Sequence, residues 1–211
     1  MKYILNIIIL ISLALLQDSK GGIPYSIKNN ILNQNSISMP SIDINALQEE
    51  DLNAPKGRPF RYGNKFDVNL NLSNSGNWIS LENGDLLWTL AIESQGAFAI
   101  GLEYSQFYLP EGSSFYVYNP QQSSIHGAYT SENNQHDGLF STPLIEGDII
   151  YLELYLPSNN SEESLIDIDY VIHDYRDILN FSQSRESRDC GDNVVCNSAN
   201  SYEDQINATS W

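Results

Sequence analysis

The sequence predicts an all-β chain: an antiparallel β-sandwich or jelly-roll-like domain, preceded by a signal peptide and a short extended and helical segment. Three observations predict it. Between Phe60 and Ile172, apolar and polar residues alternate in short runs of period two, which puts one face of each run in a core and the other in water. Turn residues separate those runs at short intervals. Thirteen Tyr, seven Phe and three Trp supply side chains that suit a pleated, half-buried surface. No helix-period segment alternates with the strand-like runs, which disfavours a parallel α/β sheet.

The N-terminal elements come first. Lys2 is a basic flank to the apolar run Ile4–Leu16, broken only by Asn6 and Ser12. That run is too short to span a bilayer as a helix and suits the core of a signal peptide over residues 1–20. No clean pair of small residues follows it, so an uncleaved anchor is the other reading. No Cys follows it either, which disfavours a lipoprotein. Residues 21–58 form an N-terminal segment. Gly21–Ile27 and the Asn/Ser-rich stretch to Ser38 lack periodicity and read as extended. Met39–Leu52 reads as a short helix, with Ser41 as N-cap and Ile42, Leu47 and Leu52 as apolar contacts. Pro55, Gly57 and Pro59 end it.

Residues 59–179 carry the sandwich. Phe66, Val68, Leu70 and Leu72 alternate with Asp67, Asn69 and Asn71. Trp78–Leu81 and Leu86–Ile92 flank Asn83-Gly84, a dipeptide suited to the two positive φ angles of a type I′ hairpin turn. Strands are expected at Ala97–Phe107, Phe115–Tyr118, Ile125–Thr130, Leu139–Ser141 and Ile149–Leu156. Pro110, Pro120 and Gly147 mark turns between them. In the last strand, Ile166, Ile168, Tyr170 and Ile172 alternate with Asp167, Asp169 and Val171. Residues 180–189 read as a polar, exposed linker, and residues 190–211 are too short to build a core alone.

The formal net charge of −17 argues against nucleic acid, whose binding needs basic residues to displace counterions. It argues equally against docking on anionic lipid. Past the apolar run at the start, no segment could span a membrane as a helix, so no stable membrane insertion is expected after signal cleavage. Cys190 and Cys196 are the only cysteines, so the sandwich must hold together without a disulfide framework. Their C-x5-C spacing, with no His nearby, is not a zinc pattern. The thiols could pair with each other or with cysteines elsewhere.

No catalytic machinery is legible. The three histidines, His126, His136 and His173, are scattered, and neither G-x-S-x-G nor G-D-S-G occurs. They read as surface histidines rather than as a triad. His136, Asp137 and Glu132 share a loop without a recognised metal spacing. Asp167 and Asp169 would face one way from a strand, as a calcium pair or simply as a solvated face. Trp78, Trp88 and the tyrosines read mainly as core, with a sugar platform as the alternative. No metal, cofactor or catalytic residue is assigned.

A series of short motifs resembles the pro-region of bacterial lysyl endopeptidase-like precursors, secreted serine proteases of the chymotrypsin type. The chain matches GG-x-P-x-S at Gly21, Gly22, Pro24 and Ser26. It matches M-P-x-x-D-x-x-x-L-x-x-E-D at Met39, Pro40, Asp43, Leu47, Glu50 and Asp51, and P-x-R-x-G at Pro59, Arg61 and Gly63. W-x-x-L-x-N-G-D follows at Trp78, Leu81, Asn83, Gly84 and Asp85, and L-P-E-G at Leu109–Gly112. Ile125–Asn134 and Val171–Asp177 complete the series. Cys190–Cys196 and Tyr202–Asn207 resemble the opening of the mature protease. The resemblance implies that residues 190–211 begin a protease domain cut off at Trp211, with the triad and the cysteine partners of Cys190 and Cys196 beyond it.

The resemblance implies a pro-domain that aids folding of, or inhibits, a secreted endopeptidase of Lys/Arg specificity, its main partner being its own protease domain. Arg185 and Arg188, the only basic residues of the linker, are the expected processing positions. The alternative is a secreted β-sandwich module that binds carbohydrate or protein. On either reading the chain is expected to be secreted, extracellular or periplasmic in transit.

Overall fold

A computed structural model describes residues 19–31, 36–55, 57–160 and 162–180. Residues 1–18 of the segment expected to be a signal peptide, the linker arginines Arg185 and Arg188, and Cys190 and Cys196 lie outside the described residues. The sandwich belongs to a unit that ends at Leu179, and Asn180–Trp211 form a separate one.

Two short helices, α1 (Tyr25–Asn29) and α2 (Ile44–Leu52), bracket the first strand, β1 (Ser36–Ser38). Ten strands follow: β2 (Gly63–Asn71), β3 (Asn77–Ser80), β4 (Leu86–Glu93), β5 (Ala99–Tyr108), β6 (Ser114–Tyr118), β7 (Ile125–Tyr129), β8 (Phe140–Ser141), β9 (Ile145–Glu146), β10 (Ile149–Leu156) and β11 (Leu165–Asp174). A 3-10 turn spans Ser131–Asn133. The fold is all-β with two sheets, as expected. One sheet runs β1-β4-β10-β6-β7, with β3 also on β4; the other runs β2-β11-β5-β8, with β9 also on β5. Every pairing is antiparallel except β1 on β4.

Alternation explains which side chains meet. Trp88, Leu90 and Ile92 of β4, Phe115 and Val117 of β6, and Ile150, Leu152 and Leu154 of β10 point inward from the first sheet. Ile100, Leu102 and Tyr104 of β5 and Ile166, Ile168 and Val171 of β11 meet them from the second. At one end the core is aromatic: the Phe107 and Phe140 rings stack at 4.0 Å, and Tyr104, Phe115 and Tyr129 surround them. Edge-to-face and offset contacts of this kind add about 0.5–1.5 kcal/mol per pair beyond burial. The core contains no cysteine.

Several local expectations are corrected. The hairpin turn is not type I′. Gly84 takes a positive φ of 85° but Asn83 does not. The Gly84 N–H closes a turn on the Leu81 carbonyl at 2.9 Å, and Leu81 then pairs with Asp85. This is the three-residue loop in which one left-handed residue ends a tight turn. The strand read from Phe66 to Leu72 stops at Asn71, which turns the chain through bonds from Ser73 and Asn74 to its side chain. In β11 the register shifts around Ile168–Tyr170. Inward positions therefore pass from Ile166 and Ile168 to Val171 and His173, leaving Tyr170 and Ile172 half-exposed.

The N-terminal segment is also more ordered than its composition suggests. Tyr25–Asn29 is helical rather than extended, and Ser36–Ser38 joins the first sheet. In α2 the N-cap is Asp43, whose side chain accepts from the Ala46 amide at 3.1 Å, not Ser41. Leu52 is 85% exposed instead of packed. Its face of the helix turns outward, while Leu47 and Asp51 are half-buried.

Candidate functional site

The serine–histidine pair that the sequence could not place does exist. Ser94 sits just past β4 and His173 on β11, and their Oγ and Nδ1 atoms lie 2.7 Å apart. Both residues are 1% exposed. His173 Nε2 is buried with no hydrogen-bond partner among the described residues. The neighbouring carboxylate, Asp174, accepts instead from the Arg176 and Ile178 amides, at 2.7 and 2.9 Å. A nucleophile needs substrate access and a base oriented by a third group. This pair has neither, and it serves as a buried tie between the two sheets.

The other weighed positions are dispersed. His126 is half-buried on the edge strand β7, where burial lowers its pKa. Glu132 pairs with Lys20 at 2.6 Å, and Asp137 accepts from the Leu139 amide at 3.1 Å. Among the described residues, no three metal-ligating side chains converge. Asp169 accepts from Ser105 Oγ at 2.7 Å. Trp88 is fully buried, its indole donating to the Ser75 carbonyl at 2.9 Å. Gly76 lies against that ring with a φ of 72°, and a Cβ there would fall 2.6 Å from Trp88 Nε1. Trp78 is 42% exposed beside a cavity of about 460 Å³ that also includes Leu72, Ser158, Asn160 and Glu162.

The most unusual group is Glu153. It stands mid-strand in β10, faces away from the core between Tyr151 and Tyr155, and is fully buried. The covering element is the N-terminal segment. Pro24 begins α1 without a side-chain cap, so the first amides of the helix need an acceptor from elsewhere. Glu153 supplies it. The Tyr25 amide donates to Oε1 at 2.5 Å and the Ser26 amide to Oε2 at 3.0 Å. The Ser26 hydroxyl also donates to Oε2 and lies 2.7 Å from the Tyr118 hydroxyl. Burial raises the pKa of Glu153 against the pull of those donors. The Tyr25 ring stacks on Tyr155 at 5.6 Å, and Ile27 packs by Tyr118 and Ala128. Upstream, Lys20 and Gly21 exchange backbone bonds with Ala128 of β7, both at 3.0 Å.

No protein-family model matches the sequence.

A second joint is ionic. Asp51, at the end of α2, accepts from Arg61 Nε at 2.8 Å, a terminal Arg176 nitrogen at 2.6 Å and the Tyr175 hydroxyl at 2.6 Å. Arg61 also reaches Glu50 at 3.1 Å and the Leu47 carbonyl at 3.0 Å. Burial pushes the Asp51 carboxyl up, but the hydrogen bonds from Tyr175, Arg176 and Arg61 together hold it at about 2.

The motifs singled out in the sequence thus meet in pairs and threes. Gly21 and Ala128 pair across the sheet edge. Glu50 and Asp51, Arg61, and Tyr175 and Arg176 come from three separate motifs and form one cluster. Asp85 accepts from the Tyr155 hydroxyl and, at 2.8 Å, from the Ser158 amide. Leu109 and Asn134 exchange two bonds at 2.8 and 2.9 Å. Long sequence separation hid these partners. Glu153 itself left a signal, as a lone carboxylate between two leucines in an apolar strand.

Proposed function

We propose that this chain is the pro-domain of a secreted serine endopeptidase of Lys/Arg specificity, a folding aid and inhibitor with no chemistry of its own. The observation that supports the reading is the convergence of its motifs: residues at Gly21, Asp51, Arg61, Asp85, Leu109 and Arg176 are engaged in joints between distant segments. Motifs of that kind specify a scaffold. A scaffold that presents a surface to a neighbouring domain needs such joints and no nucleophile. A double-barrel protease has many non-local contacts and folds slowly, so a preformed β surface can lower its folding barrier.

The processing step falls in residues 180–189, after Arg185 in preference to Arg188, which lets a Lys/Arg-directed protease release itself. N-terminal sequencing of the mature secreted enzyme tests this. A start at Glu186 is expected. A start upstream of Asp174 or beyond Cys196 contradicts it, as does a coding sequence that encodes no protease domain after Trp211.

One observation favours a second reading, a binding module for carbohydrate. The exposed Trp78 lines the same cavity as polar Asn160 and Glu162. Saturable binding of an oligosaccharide that Trp78→Ala abolishes would support that role over the first.

A further inference from the structure

We propose that the tyrosine-walled depression over Glu153 is a peptide-acceptor site, filled here by the chain's own residues 20–31 and able to take the same segment from a second copy. The chemistry it selects is specific. The ligand must start a helical turn after a proline, presenting two unpaired amides and a hydroxyl to one carboxylate, as Pro24, Tyr25 and Ser26 do. An aromatic side chain must follow the proline to stack on Tyr155, and an apolar one must reach Tyr118 two residues later.

The acceptor belongs to the sheet. Glu153 sits on a central strand, bonded on one side to β4 and on the other to β6, so its position does not depend on the segment that covers it. Tyr118, on β6, shares the seat. The segment is a different kind of element. It adds a backbone exchange at the exposed edge of β7, an exposed Lys20–Glu132 ion pair and a bond from the Tyr116 hydroxyl to the Gly21 carbonyl at 3.3 Å, and it buries Pro24 and Ser26, while Lys20–Ile23 and Lys28–Asn30 stay exposed. A terminal segment held by a few polar contacts in a preformed seat has the form of an exchangeable element. Vacating the seat uncovers Glu153 and removes its Tyr25 and Ser26 donors, leaving the Tyr118 hydroxyl at 3.5 Å and water, so an equivalent segment restores three hydrogen bonds when it is captured.

The probe is a synthetic peptide of residues 19–31, the segment cut from its chain. In the full-length chain carrying Ser26→Asp, a second carboxylate faces Glu153 and expels the tethered segment. Fluorescein-labelled peptide is expected to bind this chain saturably and about tenfold more tightly than the wild-type chain, whose own segment competes at an effective concentration on the order of millimolar. Peptide carrying Ser26→Asp should not bind. A variant with a native near-UV spectrum that binds no peptide, or binds both peptides alike, overturns the proposal. If the variant fails to fold, the wild-type chain decides: about 10 mM unlabelled peptide should speed deuterium uptake at the Tyr25 and Ser26 amides at least about twofold by competing with the tether. Unchanged uptake overturns it.

Discussion

Single residues carry unequal shares of this fold, and three titratable groups show why. Glu153 is an acceptor with no donor capacity of its own. Glu153→Gln keeps one acceptor oxygen and turns its N–H₂ either to the Tyr25 amide or to the Ser26 amide and hydroxyl, so at one of the two sites a donor faces a donor. Loss of a charge-assisted acceptor is expected to lower stability by about 2 kcal/mol, read from urea unfolding, and to raise protease sensitivity near Tyr25. An unchanged midpoint would mean that the segment contributes nothing to the native state. His173 works through its proton. Burial lowers its pKa below the ordinary 6.5, with Asp174 and Asp148 opposing, Ser94 on Nδ1 and the Phe66 ring nearby. The unfolded chain therefore takes up a proton at a pH where the folded chain does not. Stability is full above about 6.5 and is lost as pH falls toward the lowered folded value. Thermal melts from pH 7.5 to 5 should show this loss, and His173→Leu should flatten it. Asp51 works at lower pH. Held at about 2 against an ordinary 3.8, it contributes stability that is present above 3.8 and lost as pH falls through that range.

At the scale of elements, alternation made most strands legible. Ile149–Leu156 runs as the sequence predicts because Ile150, Leu152 and Leu154 leave no choice of inward face. What escaped has physical causes. β1 and β9 are too short for periodicity to show, and β1 forms only where β4 offers a free edge. The reversed alternation after Ile168 needs a register shift, which no composition signal marks. Helix α1 lacks its own cap and forms over a carboxylate 127 residues away. The joints were invisible because each needs two or three distant segments at once. Helix α2 makes the same point: with no fully buried residue, its attachment rests largely on Asp51. Asp51→Asn leaves two arginines without their shared charge. Amides from Ala46 to Asn53 are expected to exchange at least about tenfold faster, equivalent to a loss of about 1.4 kcal/mol locally, while β4 and β10 amides stay protected. Equal acceleration throughout would show that the cluster supports the global fold instead.

The described unit is a sandwich whose core holds no cysteine and to which the N-terminal region is tied at the β7 edge, Glu153, the β4 edge and the Asp51 cluster. A fragment of residues 55–180 keeps both hydrophobic faces and should melt cooperatively with an all-β far-UV spectrum. It should melt lower than residues 19–180, because it uncovers Glu153 and frees the β4 edge. Among the described residues no helix is long and apolar enough to cross a membrane. The most direct test of the pro-domain role is refolding. The denatured mature protease, diluted from denaturant with and without the 211-residue chain, should regain activity on Lys and Arg ester substrates in far higher yield when the chain is present, and that activity should stay inhibited until the chain is digested. Equal yields in both reactions, with no inhibition at stoichiometric chain, would contradict the account.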